Sequence, residues 1–313
     1  MSTIERAAAR LGSIGKRDRD KDGARLEPEV RAVVPPAVTV DATPSEAAPP
    51  IVDDATTPNV GRRGLGRVEL DLASLTARGF VTEANAESEL ATDFRRIKRP
   101  LLLAIKKVEA AQSHANPPNL IVVTSSLPGE GKTFTSINLA LSIAAEMDRS
   151  VLLLDGDVAK SAVAEVLNVQ TELGLTDVLN RGGAGIDDAV LTTNVPGFAI
   201  LASGPRLPNT DELFASDMMR RLMLELADRD PKRLVLVDAP PLLARTEAPN
   251  LARLASQVVV VVEADKTPQA SVSEALSLLQ GCDNVSLILN KVTRRASDRY
   301  TYGYGYGYGA GGR

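Results

Sequence analysis

The sequence has few of the residues from which metal and disulfide chemistry is built. Of 313 residues, one is cysteine (Cys282) and one is histidine (His114). A lone cysteine excludes an internal disulfide framework and a cysteine-built zinc site. A lone histidine excludes a His-rich metal site, and both counts are compatible with a reducing compartment. Tryptophan is absent and aromatic residues make up 3% of the chain. The net charge is −4, and without a basic stripe there is no basis for a nucleic-acid partner. No apolar run approaches the ~20 residues needed to cross a bilayer. The longest uncharged core-like stretch, residues 133–145, contains Thr, Ser and Asn and reads as a buried helix. The opening MSTIERAAAR carries charges where a signal peptide has its apolar region. The chain therefore reads as soluble, with any membrane contact made through a partner or an attached lipid.

What is present is unevenly distributed. The first aromatic residue is Phe80, and seven of the 19 prolines fall in the first 58 residues. Residues 13–65, rich in Pro, Ala, Asp, Arg and Thr, bury too little to offset the entropy of ordering. A short amphipathic helix at 3–12 reads as a fraying end, and residues 66–79 as a docking segment. The expected division is a disordered Pro/Ala-rich arm over 1–82, one folded domain over 83–295 and a flexible tail over 296–313. From Glu83 the pattern turns helical: Leu90, Phe94, Ile97, Leu101 and Ile105 form a core-facing stripe. Pro100 predicts a kink or break in it.

After Pro118 short apolar runs alternate with helical segments. Strands are expected at 119–124, 150–155, 198–202, 233–238, 257–263 and 285–290. Helices are expected at 133–147, 211–227 (with Thr210 as N-cap) and 271–279. Continuous apolar strands separated by helices predict an α/β fold, a mostly parallel sheet covered by helices on both faces.

The strongest chemical signal is SSLPGEGKT, residues 125–133, between a strand and a helix. This is the setting in which glycines turn backbone N–H groups onto phosphate and the helix N-terminus adds its positive end. Ser126 stands where the P-loop pattern has its first glycine. Gly129, Glu130, Gly131, Lys132, Thr133 and Phe134 are the candidate nucleotide-binding residues, and Thr133 is a candidate Mg²⁺ ligand. The run LLLDGD ends in Asp155 and Asp157, and LVLVDAPP carries Asp238. Ligands in such sheets bind beyond the carboxyl ends of the strands, so these aspartates are expected to converge on the loop. A strand-end cap is the plain alternative for each. Asn290, at the end of the last strand, is a candidate adenine contact or another cap.

These residues resemble the bacterial tyrosine autokinases, P-loop ATPases related to MinD and ParA. The resemblance rests on SSLPGEGKT (125–133) as Walker A, VLLLDGD (151–157) as Walker A′ and LVLVDAPP (234–241) as Walker B. It is supported by GLTDVL (174–179) and LASGPRLPNTDELF (201–214). FRRIKRPLLL (94–103) is similar to the branch associated with exosortase-type exopolysaccharide loci. The resemblance implies a P-loop NTPase fold, ATP and Mg²⁺, and Lys132, Asp155, Asp157 and Asp238 as catalytic residues. Thr133, Asp157 and Asp238 would hold the metal, and Asp155 would take the acceptor proton. It also implies a C-terminal tyrosine cluster as substrate. All five tyrosines of the chain, Tyr300, Tyr302, Tyr304, Tyr306 and Tyr308, lie within nine residues. A Gly/Tyr tail of low complexity is the alternative reading of that composition.

The implied partners are a separate inner-membrane polysaccharide co-polymerase (chain-length determinant) as activator, further copies of the chain, and a phosphotyrosine phosphatase. The chain would be cytoplasmic and peripheral to the membrane through that co-polymerase. Two departures stand out. Val158, Ala159 and Lys160 follow Asp157 where the family has an arginine and a proline. The interface motif E-x-x-R-x-x-R is met at Arg95 and Lys98, but Thr92 replaces the acid. Two other readings are a ParA/MinD-type ATPase switch, against which Pro128 replaces the signature lysine, and a nucleotide-binding, non-catalytic regulator of polysaccharide export.

Overall fold

The computed structural model describes residues 66–111 and 116–293. The amphipathic stretch at 3–12, most of the arm, His114 and the tyrosine tail lie outside the described residues. Eight strands form one sheet: β1 (Arg67–Val68), β2 (Leu120–Ser125), β3 (Ser150–Asp155), β4 (Leu191–Thr193), β5 (Phe198–Leu201), β6 (Arg233–Asp238), β7 (Gln257–Glu263) and β8 (Val285–Asn290). Their order is β1-β4-β5-β3-β6-β2-β7-β8. Every pairing is parallel except β4 with β5.

The central strands read as unbroken apolar runs because both faces are covered. Leu120 and Val122 of β2, Leu152 and Leu154 of β3, and Val235 and Val237 of β6 enter one core. The residues between them (Ile121, Val123, Val151, Leu153, Leu234 and Leu236) enter the other. This is the period of two that a pleated strand imposes.

Ten α-helices are described: α1 (Leu72–Ala77), α2 (Glu89–Ala111), α3 (Lys132–Ala144), α4 (Ala162–Leu167), α5 (Leu175–Asn180), α6 (Ile186–Ala189), α7 (Thr210–Phe214), α8 (Asp217–Asp228), α9 (Glu247–Leu254) and α10 (Gln269–Ser277). Residues 66–82, expected with the arm, belong to the folded unit. They contribute β1, α1 and the buried Leu70, Leu75 and Phe80. Asp71 caps α1 by accepting the Ser74 N–H. Pro100 does not end α2, which runs on for eleven residues past it. The proline removes one helical hydrogen bond, while Phe94, Leu101 and Ile105, all buried, hold the helix on both sides.

The single helix expected at 211–227 is two. Ser216 starts the second by accepting the Met219 N–H. Thr210 is not the N-cap: it lies in the first turn of α7, its hydroxyl bonded to the Leu207 backbone. GLTDVL and LASGP meet backbone to backbone, Leu175 N–H to the Ala202 carbonyl at 2.8 Å and Thr176 N–H to that of Ser203 at 3.0 Å. A Cβ on Gly174 would lie 2.2 Å from the Gly204 nitrogen, so this approach requires glycine there. Among the described residues no helix is long and apolar enough to cross a membrane.

Candidate nucleotide site

β2 ends at Ser125, the loop 126–131 follows, and α3 begins at Lys132. Gly129 (φ 87°) and Gly131 (φ 95°) have left-handed backbone, which gives the loop its curl. The backbone N–H groups of residues 130–133 meet no acceptor among the described residues. Unpaired N–H groups at a helix start are the donors that anions use.

β6 lies beside β2, and β3 lies beside β6, with Asp155 and Asp238 in register. The strand order thus brings the A′ and B carboxylates to the carboxyl edge next to the loop. Lys132 Nζ is 2.7 Å from Asp157 Oδ2 and 3.6 Å from Asp238 Oδ2. The Thr133 hydroxyl donates to Asp238 Oδ2 at 2.7 Å. Asp155 accepts the Asp157 N–H on one oxygen and the Val163 N–H on the other, both at 3.1 Å.

Burial sets the electrostatics. It lifts the Asp155 carboxyl to about 7, with the charge of Asp238 adding to the shift and the Val163 and Asp157 amides opposing it. Asp238, sealed from solvent, is also pushed up by burial, against Lys132 and the hydroxyls of Thr133 and Ser136. Burial pulls the Lys132 ammonium down, but Asp238 and Asp157 more than offset it, and its pKa is raised. Three carboxylates face one ammonium, so the site is built to receive further cationic charge.

Several contributors carry no sequence motif. Ser136 Oγ is 2.9 Å from Asp238 Oδ1, one turn along α3 from Thr133. Its position three residues after Thr133 on a helix is the signal that could have found it. Glu130 is buried and turned away from Lys132, toward Leu127, Glu263 and Thr267. Asn290 lies against the loop, its amide donating to the Glu130 carbonyl at 2.9 Å. The ring of Phe134 packs 5.0 Å from Phe80 and 6.5 Å from Phe94, which leaves its backbone for a nucleotide. Of the interface-motif positions, Arg95 is exposed and bonded to Thr92 and the Ala86 carbonyl. Lys98 is turned inward onto Glu146 and the Ser142 carbonyl, so it is not a surface residue.

The residues fit a metal–nucleotide. An anion-seeking loop, a lysine and a threonine hydroxyl sit beside surplus carboxylate. Ser126 also has a buried hydroxyl with no partner among the described residues. Among the described residues no cluster of three or more His, Cys, Asp or Glu could bind a metal unaided. A metal here would therefore need Thr133, water and the phosphates themselves. Fold and site together define a P-loop nucleotide-binding protein.

Comparison with known proteins carries the class further. The AAA-domain family model matches residues 119–292. The tyrosine-protein kinase YwqD of Bacillus subtilis (strain 168) is 33% identical over 184 residues, covering 58% of this chain and 76% of YwqD. Tyrosine-protein kinase etk of Escherichia coli (strain K12) is 34% identical over 186 residues, covering 59% of this chain and 25% of etk. The solved kinase domain of E. coli tyrosine kinase ETK superposes with TM-score 0.54 at 30% identity, covering 65% of this chain and 77% of that domain. The chain spans about a quarter of the length of etk and about three quarters of YwqD. It belongs to the AAA-domain family and, within it, to the bacterial tyrosine-protein kinases.

Proposed function

We propose that this chain is an ATP- and Mg²⁺-dependent protein-tyrosine kinase. Its acceptors are Tyr300, Tyr302, Tyr304, Tyr306 and Tyr308 of its own C-terminal cluster, phosphorylated in trans within a homo-oligomer. The observation that carries the reading is the loop-borne Lys132 held between Asp157 and Asp238, with Thr133 bonded to Asp238. In this reading Lys132 and Thr133 would take up the phosphate and the metal, and the carboxylates would supply the opposing charge.

When bound, Mg²⁺ neutralises charge on the transferring phosphoryl group. Residues 129–133, with Phe134 through its backbone, hold the phosphates. Lys132 would carry the charge that develops on the β/γ oxygens, and the Thr133 hydroxyl, bonded here to Asp238, would be a metal ligand. Asp157 and Asp238 would help to hold the metal. Asp155, at the end of β3 beside them, accepts the acceptor tyrosine's proton. A free tyrosine has pKa ~10 and gains from a base in the transition state. Asn290, whose amide nitrogen is bonded to the Glu130 carbonyl, would have its amide oxygen for an adenine. The protein's part is positioning and charge stabilisation.

The activity regulates exopolysaccharide polymerisation and export. A separate inner-membrane co-polymerase serves as activator and brings the cytoplasmic kinase to the membrane. A phosphotyrosine phosphatase reverses the modification. The test is incubation of the chain with ATP and Mg²⁺, with and without the co-polymerase's cytoplasmic segment, followed by intact and tandem mass spectrometry. Phosphates are expected on Tyr300–Tyr308 and absent from Lys132→Met. ATP hydrolysis with no phosphotyrosine under either condition overturns the kinase reading in favour of an ATPase switch.

A further inference from the structure

We propose that Glu130, Thr267, Asn290 and Lys291 form a clamp on the outer side of the phosphate loop, positioning residues that aim the loop's N–H groups at the nucleotide. The inference rests on the nucleotide reading above. It adds residues from the loop after β7 and from the end of β8, of which no motif assigns Thr267 or Lys291.

The clamp has two halves. In the first, the Glu130 side chain, 2% exposed, ties the loop to itself and to the β7–α10 connection. One carboxylate oxygen accepts the Leu127 N–H at 2.6 Å. The other accepts the Thr267 hydroxyl and, at 3.4 Å, the Glu263 N–H. In the second half, β8 takes hold of two loop carbonyls. Lys291 Nζ donates to the Gly129 carbonyl at 2.7 Å and to Glu263 Oε2 at 3.0 Å. Asn290 Nδ2 donates to the Glu130 carbonyl at 2.9 Å.

The peptide geometry gives this a consequence. In a planar trans peptide the C=O and the following N–H point in opposite directions. Tethering the Gly129 carbonyl outward therefore aims the Glu130 N–H inward, and tethering the Glu130 carbonyl does the same for the Gly131 N–H. Those are the N–H groups without acceptors among the described residues. Asn290 reaches its seat only because residue 131 is glycine: a Cβ there would lie 2.1 Å from Asn290 Nδ2.

Backbone strain is found in the same place. Of the four non-glycine residues with left-handed backbone among the described residues, Asp265 (φ 59°) and Lys291 (φ 57°) lie in the two segments that make the clamp. Held left-handed residues of this kind concentrate at functional sites.

The test is calorimetric titration of the full chain and its variants with Mg·ADP, with far-ultraviolet circular dichroism to confirm folding. Thr267→Val removes one hydroxyl at constant shape, and Lys291→Met removes the ammonium and keeps the stem. Each is expected to weaken Mg·ADP binding by ~3- to 30-fold. In the phosphorylation assay both are expected to raise KM for ATP and to leave the rate at saturating ATP nearly unchanged. Glu130→Gln, whose amide can still accept from Leu127 and donate to Thr267, loses less affinity than Glu130→Ala. Thr267→Val and Lys291→Met binding within about twofold of the unaltered chain would overturn the clamp. So would equal losses in Glu130→Gln and Glu130→Ala, which would mean that the charge and not the hydrogen bonding is used. Retained affinity differences without any tail phosphorylation would sink the kinase reading and leave the clamp standing.

Discussion

Two lysines are buried to the same degree, Lys98 and Lys132, each 7% exposed, and they have opposite meanings. Lys98 sits between α2 and α3 and meets one carboxylate, Glu146, whose side chain is 41% exposed, and one backbone carbonyl. Its charge is matched and the arrangement is complete. Lys132 meets Asp157 and Asp238, with Asp155 close enough to act on it through space. Its charge is outnumbered, and the surplus is negative. A buried lysine in a balanced pair joins two helices. A buried lysine among surplus carboxylates at the edge of a parallel sheet suits the metal and phosphate of the proposed reaction. Burial alone separates nothing; the count of opposing charges does.

The comparison is broken most completely by Lys132→Met. This variant is expected to lose tail phosphorylation by ~10²- to 10³-fold or more, since charge stabilisation at the transferring group is usually the largest catalytic contribution. Quantitative mass spectrometry of the tail measures it. Residual phosphorylation close to that of the unaltered chain would mean that Lys132 is as structural as Lys98.

The surplus negative charge also predicts how stability depends on pH. The Asp155 carboxyl is raised from 3.8 to about 7, so the folded chain holds a proton there that the unfolded chain has released. Between those values the native state binds more protons than the unfolded state, and stability falls as pH rises. Nucleotide-free protein in a metal chelator should lose about 2–4 kcal/mol between pH 4 and pH 7.5 through this group. Asp155→Asn should flatten the slope, read by urea unfolding at a series of pH values. An unchanged slope would show that Asp155 is not held protonated by its surroundings.

Phe134 lies between the two lysine regions, next to Thr133 in sequence and against Phe80 and Phe94 in space. Phe134→Ala is expected to cost about 2 kcal/mol, less than a fully buried phenylalanine because the ring is half-buried. Because the ring faces α2, affinity for Mg·ADP should change little in the folded protein. A large loss of affinity with little loss of stability would return the ring to the nucleotide. Thermal melts and calorimetry on one preparation separate the two.

How much of this was legible follows the same division. The central strands were readable because a sheet buried on both faces demands unbroken Val, Leu and Ile, as in QVVVVVE. The convergence of Lys132, Asp157 and Asp238 was readable because parallel strands deliver their ends to one edge. β1 was not, since two residues carry no period, and the residues around it were averaged into a poor arm although Leu70, Leu75 and Phe80 are core. The split between α7 and α8 turned on Ser216, one polar residue in an otherwise helical run. The contacts of the proposed clamp join Glu130 to Thr267 and Gly129 to Lys291, more than 130 residues apart, through loops with no periodicity. The direction in which Lys98 points depends on where α3 ends, and no pattern within α2 encodes that.

The smallest expected effect tests the balanced side of the comparison. In Lys98→Met the methionine stem refills most of the space and Glu146, already half in water, regains solvent. The net cost is expected to be about 1 kcal/mol, since an ion pair with one solvated partner contributes little. Oligomer mass by light scattering and affinity for Mg·ADP should both match the unaltered chain, because the ammonium reaches neither the surface nor the phosphate loop. Loss of assembly in Lys98→Met would put this residue back at a subunit contact. Arg95, which is exposed on the same helix, is the sharper control: Arg95→Ala weakening assembly while Lys98→Met does not would show that the two basic positions of the motif have separated, one to the surface and one to the core.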